Sequence, residues 1–196
     1  AVKLWREFGD PGWASAEVLN AIADALKADD LRLMAGIRAL FLHDDFWAPE
    51  RRFCMVKPPL SWIVELQRRT GLRLSESRLD QRCDTMGHRL LLPPSVGGWG
   101  HNTAWLSAAA LLGRARTARD LSFDVDDTGF FAGLADQSPD AATNRILNAF
   151  GVPDASDGTR GVVRDWFEDA IEELNGSTLE REAFRMGALL PEVNLS

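Results

Sequence analysis

The sequence predicts an all-α fold, and three observations carry that reading. Apolar residues recur at three- and four-residue spacing along most of the chain, the period of a helix that buries one face. No stretch alternates apolar and polar residues as a half-buried strand must. Capping and stopping residues, among them Ser15, Gly71, Gly87 and Gly151, fall where the periodic runs begin or end. The expected architecture is an irregular array of about eight helices crossed by one ordered strap rich in Pro and Gly, with no significant sheet.

Ser15 is the expected N-cap of a helix whose face carries Val18, Leu19, Ile22 and Leu26. Asp29 or Asp30 should cap a second, with Leu33, Met34, Ile37, Leu40 and Phe41 inward. Pro58 and Pro59 suit a first turn, where a missing N–H costs nothing, and they open a third helix that Gly71 stops. A fourth runs from about Ser75 to Met86, with Gly87 just beyond it. The periodicity then breaks. Two Pro and three Gly between Leu90 and His101 exclude helix. Leu90, Leu91, Leu92, Val96 and Trp99 are too apolar for a solvated loop, so this strap is expected to pack across the helical core.

Asn102 should cap a long helix to about Leu121, with Trp105, Ala108, Leu112 and Ala115 in one stripe. The run Asp120 to Asp127 reads as a linker. A helix from Asp140 carries Ile146, Leu147 and Phe150 and halts at Gly151. The next, about Thr159 to Leu174, is amphipathic: Val163, Trp166, Phe167, Ala170, Ile171 and Leu174 oppose Arg164, Asp165, Glu168, Asp169, Glu172 and Glu173. A last helix spans about Thr178 to Leu189.

Composition sets the outer bounds. A chain of 196 residues, 45% apolar and 26% charged with mean hydropathy −0.17, makes one compact domain or two small lobes. Seven Trp and ten Phe exclude disorder, and no window approaches a membrane span. The first residue is Ala1, without an initiator Met or signal-peptide pattern, so the chain is expected to be part of something longer. Residues 1–119 carry 17 basic and 13 acidic side chains (net +4), residues 120–196 carry 5 and 16 (net −11). An acidic chain does not favour nucleic acid. The expected organisation is a helical core over 1–119 that includes the strap, with an acidic helical part over 120–196 docked on it through Val163, Trp166, Phe167 and Ile171.

Signatures of chemistry are few. There is no Gly-x-Ser-x-Gly, His-Glu-x-x-His or phosphate-binding loop, so no catalytic residue is assigned. His43-Asp44-Asp45 does not converge on one metal, and Asp120, Asp124, Asp126 and Asp127 miss the calcium-loop spacing; no metal or cofactor is expected. Cys54 and Cys83 form no C-x-x-C and read as ordinary buried thiols. The best contact surface is the strap together with the helix after it. Trp99 and Trp105 offer an aromatic platform, and His88, His101 and Arg114 offer polar handles to a carbohydrate or a small anion. The competing expectation is that both Trp are core and that Arg114 caps carbonyls of the strap.

The run Met86-Gly-His-Arg-Leu-Leu-Leu-Pro-Pro-Ser-Val-Gly-Gly-Trp99, then Trp105-Leu-Ser and Leu111-Leu-Gly-Arg114, resembles the large bacterial family catalogued as domain of unknown function 1800. That family shares Gly-x-x-Leu-x-x-Pro-Pro-x-Val-x-Gly-Trp followed by Trp-Leu-Ser and Leu-Leu-x-Arg, matched here from Gly87 to Arg114. Phe41-Leu42, Phe46-Trp47 and Val56-Lys57-Pro58-Pro59-Leu60 are similar to its upstream segment. Gly100-His101 departs from the family's more usual Gly-Trp-Pro. The resemblance covers residues 1–119 well and the acidic remainder loosely, and it implies the C-terminal half of a longer protein. Two functions are expected from it. One is a non-catalytic scaffold that meets the missing N-terminal segment or another protein through the strap. The other is half of an enzyme, contributing His88, His101 or Arg114 to a shared centre.

Overall fold

A computed structural model describes residues 1–125 and 129–195. It is 67% helical, with 11 helices and no sheet among the described residues. Eight of these are the helices legible in the sequence: α2 (Ala16–Ala28), α3 (Leu33–Leu42), α5 (Pro59–Thr70), α6 (Glu76–Thr85), α7 (Ala108–Ser122), α8 (Pro139–Ala149), α9 (Asp157–Glu173) and α10 (Gly176–Ala188). Three short ones join them: α1 (Val2–Phe8), α4 (Asp44–Trp47) and α11 (Pro191–Asn194). Side-chain caps start six of the helices, from Ser15, His43, Ser107, Ser138, Ser156 and Asn175, each accepting a bond from an N–H of the first turn. Gly71, at φ +75, ends α5 in the left-handed conformation that glycine adopts without strain.

Two expected caps are corrected. Arg32, not Asp29 or Asp30, precedes α3, and its side chain makes no capping bond. The chain reaches it through Asp30 and Leu31, both at positive φ, which rotates the helix so that Gly36 and Leu40 are buried while Leu33 and Met34 are 65% and 71% exposed. Likewise Asn102 opens only a 3₁₀ turn, Asn102–Leu106, and Ser107 caps α7 two residues after Trp105. The buried face of α7 is therefore Ala110, Gly113, Arg114, Thr117, Ala118 and Leu121, and Leu112 stands outside at 52% exposure.

The chain forms two compact units, Ala1–Met55 and Val56–Leu195, so the change in net charge at 119/120 falls inside the second. In the first unit, α2 packs on α3 around Trp5, Val18, Ile22 and Leu40. Gly36 makes the contact close: a Cβ there would stand 2.8 Å from the Leu26 side chain. Arg51 lies over Trp13, 4.0 Å from the ring centroid, and pairs with Asp10 at 2.7 Å. The half-buried Cys54 donates to the Gly9 carbonyl at 3.5 Å and is a free thiol.

In the second unit α10 is the hub. It packs against α7, α8, α9, α11 and the Leu134–Asp136 turn. Phe131, Phe150 and Phe184 cluster at its centre, with ring centroids 6.3 and 5.5 Å apart, and a Cβ on Gly187 would overlap the Phe150 ring. The amphipathic α9 buries Val163 and Phe167, half-buries Trp166 and leaves Ile171 36% exposed; its cover comes from α8 and α10. The last turn of α7 reaches Ser122, so Asp120 is helical and pairs with Arg82 through Nε at 2.9 Å instead of lying in a linker. Asp126 and Asp127 of that acidic run lie outside the described residues. Cys83 is buried and free, and burial, with Asp80 nearby, pushes its thiol up to about 11.

Glu192 is a buried carboxylate that closes the N-terminus of α9. It accepts from the Ser156 N–H and hydroxyl, both at 3.2 Å, and from the Thr159 hydroxyl at 2.9 Å. Burial alone would raise its pKa, but these bonds and one from its own backbone outweigh it and hold the carboxyl below its ordinary range. Its stabilisation is then present above the ordinary carboxylate pKa and lost as pH falls through the lower folded value. Glu192→Gln should cost about 1–2 kcal/mol at neutral pH, with a gap to the parent that narrows below about pH 4. Denaturant unfolding across that range measures both.

Candidate functional site

The site is built where the chain cannot be helical. Val56, Lys57 and Pro58 precede α5, and two successive prolines leave their stretch without N–H groups to donate. Its remaining polar groups are satisfied from three directions. The Val56 N–H donates to Asn102 Oδ1 at 2.7 Å, and the Lys57 N–H donates to the Asn194 carbonyl at 3.0 Å. The Lys57 carbonyl accepts from Arg114 Nη2 at 2.7 Å. Lys57 Nζ reaches the Val193 carbonyl at 3.1 Å and Glu65 at 2.8 Å.

Arg114 is the centre of this node. It is 1% exposed, donates through Nη1 to Asn194 Oδ1 at 2.9 Å, and lies 5.1 Å from the Trp62 ring centroid. No carboxylate pairs with it among the described residues. Burial lowers its pKa to about 10, so it stays charged at neutral pH. Its charge is met by neutral oxygens and an aromatic face, and the carbonyl it caps is that of Lys57, not one of the strap as expected.

The strap is rooted beside this node. His88 lies between Trp99 and Trp105, with ring centroids 5.1 Å from each; the pair with Trp105 is stacked at 28°. The imidazole Nδ1 faces the Leu60 N–H in a long 3.5 Å contact, which places the neutral proton on Nε2. Burial lowers the pKa of His88. Trp105 is 5% exposed and belongs to the core, while Trp99 is half-buried and its enclosed indole N–H has no acceptor among the described residues. His101 is exposed, outside the His88 cluster.

The expectation that the strap's aliphatic residues are buried is overturned. Leu91, Leu92 and Val96 are 91%, 57% and 112% exposed, and only Leu90 and Trp99 are half-buried. The prolines and the turn at Ser95–Gly98 carry the backbone away from the core, and Leu91 sits at φ +63, which turns it outward. Composition marked these residues as apolar; nothing in it said that no helix would cover them. Sequence reasoning also missed Lys57 and Asn194. The available signal was the Pro-Pro pair, whose preceding carbonyl needs a donor from elsewhere in the chain.

The three rings of the root should differ in weight. Trp105→Ala is expected to destabilise the chain by about 3–5 kcal/mol and Trp99→Ala by about half that, as its ring is only half-buried. Protonating His88 turns its Nδ1 into a donor facing another donor. Stability held by the neutral ring is full above about pH 6.5 and declines as pH falls below it. His88→Phe should flatten that decline between pH 7 and 5, read by thermal unfolding at each pH.

No curated protein and no solved structure matches the chain. Residues 1–192 match the family described as "Protein of unknown function (DUF1800)", so the match extends through the acidic part where the motifs alone were sparse. The matched span includes the strap, its Trp-His-Trp root and, except for Asn194, the groups that Arg114 binds. The chain therefore belongs to the DUF1800 family of proteins of unknown function.

Proposed function

We propose that the chain is a non-catalytic helical scaffold or binding module that uses the strap from Leu90 to His101 as its contact surface. The observation that carries this reading is the exposure of Leu91, Leu92 and Val96 on a segment whose two ends are fixed, by Leu90 and His88 on one side and by Trp99 and Trp105 on the other. Apolar side chains held in water on an anchored backbone mark a surface that meets a partner. Burial of Trp105 beneath His88 favours an extended surface over a sugar-stacking platform. The donors of Arg114 are committed to Lys57 and Asn194, which favours the same reading over a small-anion site. The contacts of His88 among the described residues are two indoles and a backbone N–H, surroundings that favour binding over catalysis.

The test is a thiol footprint. In a Cys54→Ser background, Ser95→Cys on the strap and Glu173→Cys on α9 should react with a maleimide at similar rates in the purified chain, both positions being exposed. In an extract of the native cell the strap thiol should be protected by roughly tenfold or more, as expected for a surface with a partner in place. The α9 thiol should not change. Equal reactivity of both thiols in the extract would overturn the reading.

A further inference from the structure

We propose that the strap is a peripheral anchor for an anionic lipid surface. This inference rests on the strap being a contact surface and names what it contacts. The first support is shape. Val96 is 112% exposed and Leu91 91%, so these side chains stand proud of the fold. A convex apolar tip enters a fluid acyl boundary readily, whereas a protein partner would have to supply a matching groove.

The second support is the backbone of the tip. Irregular chain enters an apolar layer only if its polar groups are already met. Pro93 and Pro94 have no N–H at all. The N–H groups of Leu92, Gly97 and Gly98 donate within the strap, to the Arg89 carbonyl at 3.2 Å, the Ser95 hydroxyl at 3.2 Å and the Ser95 carbonyl at 3.1 Å. Most of the donors from Leu92 to Gly98 are thus absent or satisfied before any partner arrives. Leu91 adds a backbone outlier, a non-glycine residue held at φ +63 with its side chain in water.

The third support is charge. Between Thr85 and Arg119 there is no Asp or Glu and there are four Arg, of which Arg89, Arg116 and Arg119 lie outside the core. Leu112, Arg116 and Arg119 stand at i, i+4 and i+7 on one face of α7, the helix that follows the strap. Exposed aliphatic side chains in a stretch that carries guanidinium groups and no carboxylate form the pairing that anionic lipid rewards. No described helix is long and apolar enough to cross a membrane, and a loop anchor requires none.

Flotation with vesicles tests this on the intact chain. The chain should rise with vesicles of phosphatidylcholine containing phosphatidylglycerol, and much less with phosphatidylcholine alone or in high salt. Leu92→Asp with Val96→Asp should reduce the bound fraction at least roughly tenfold. Arg116→Glu or Arg119→Glu should each weaken binding about fivefold or more. Val162→Asp, at an exposed apolar site on α9, should change nothing, and thermal unfolding should show each variant folded. No flotation, equal flotation with neutral vesicles, or flotation indifferent to the strap variants would overturn the proposal. A strap thiol protected in the cell extract by a chain that does not float would leave the contact surface standing with a protein partner. An unprotected thiol together with no flotation would remove both.

Discussion

The buried guanidinium of Arg114 is the constraint on which the second unit depends. A charge enclosed among apolar side chains must find oxygens or π-faces within reach, and here it finds the Lys57 carbonyl, Asn194 Oδ1 and Trp62. Those partners come from separate parts of the chain, so satisfying one side chain brings α7, the entry to α5 and the C-terminal turn together. Lys57 then reaches the Val193 carbonyl, and the Trp62 indole donates to the Ala188 carbonyl at 3.3 Å, which ties the end of the central α10 to the same place. Asn194 is oriented by its own donation to the Leu190 carbonyl at 2.8 Å, leaving its oxygen for Arg114.

The rigidity of this node is what lets the strap be exposed. An apolar loop without anchors would collapse onto the core, since burying each aliphatic side chain is worth on the order of 1.5–3 kcal/mol. The strap cannot do so readily: its first residues follow His88, held between two indoles, and its last residues run through Trp99 into Asn102, whose side chain is bonded to Val56. Between those points the two prolines and the Ser95 turn fix the path of the backbone. The unit spends aromatic and hydrogen-bonding interactions on the two ends of a segment whose middle contributes little to its own core.

Local signals made the helices legible, and tertiary ones set the site. Ser15 and Gly71 act through bonds within a few residues, and α2 starts and α5 ends where these residues put them. The start of α3 was displaced by the local backbone at Asp30 and Leu31, and that of α7 by a distant partner. Asn102 has the chemistry of a cap, but its side chain is taken by Val56, 46 residues away, so Ser107 starts α7 instead. That shift turns Leu112 outward and Arg114 inward. The strap illustrates the same limit from the other side, because hydrophobicity states that Leu91 and Val96 favour burial and is silent on whether the fold or a partner provides it. His88, Trp99 and Trp105 were legible as one group because each lies in or beside the non-helical stretch, while His101, in the same stretch, faces solvent.

Native-state hydrogen exchange on the intact chain tests the node most directly. The amides of Val56 and Lys57 lie in no helix, yet they should exchange as slowly as those at the centre of α10, because their acceptors are fixed by Asn102 and Asn194. Arg114→Met should keep the helices and release these two amides, with those of the strap root, to fast exchange. Fast exchange at Val56 and Lys57 in the parent chain, or protection there that survives Arg114→Met, would contradict the central place given to Arg114.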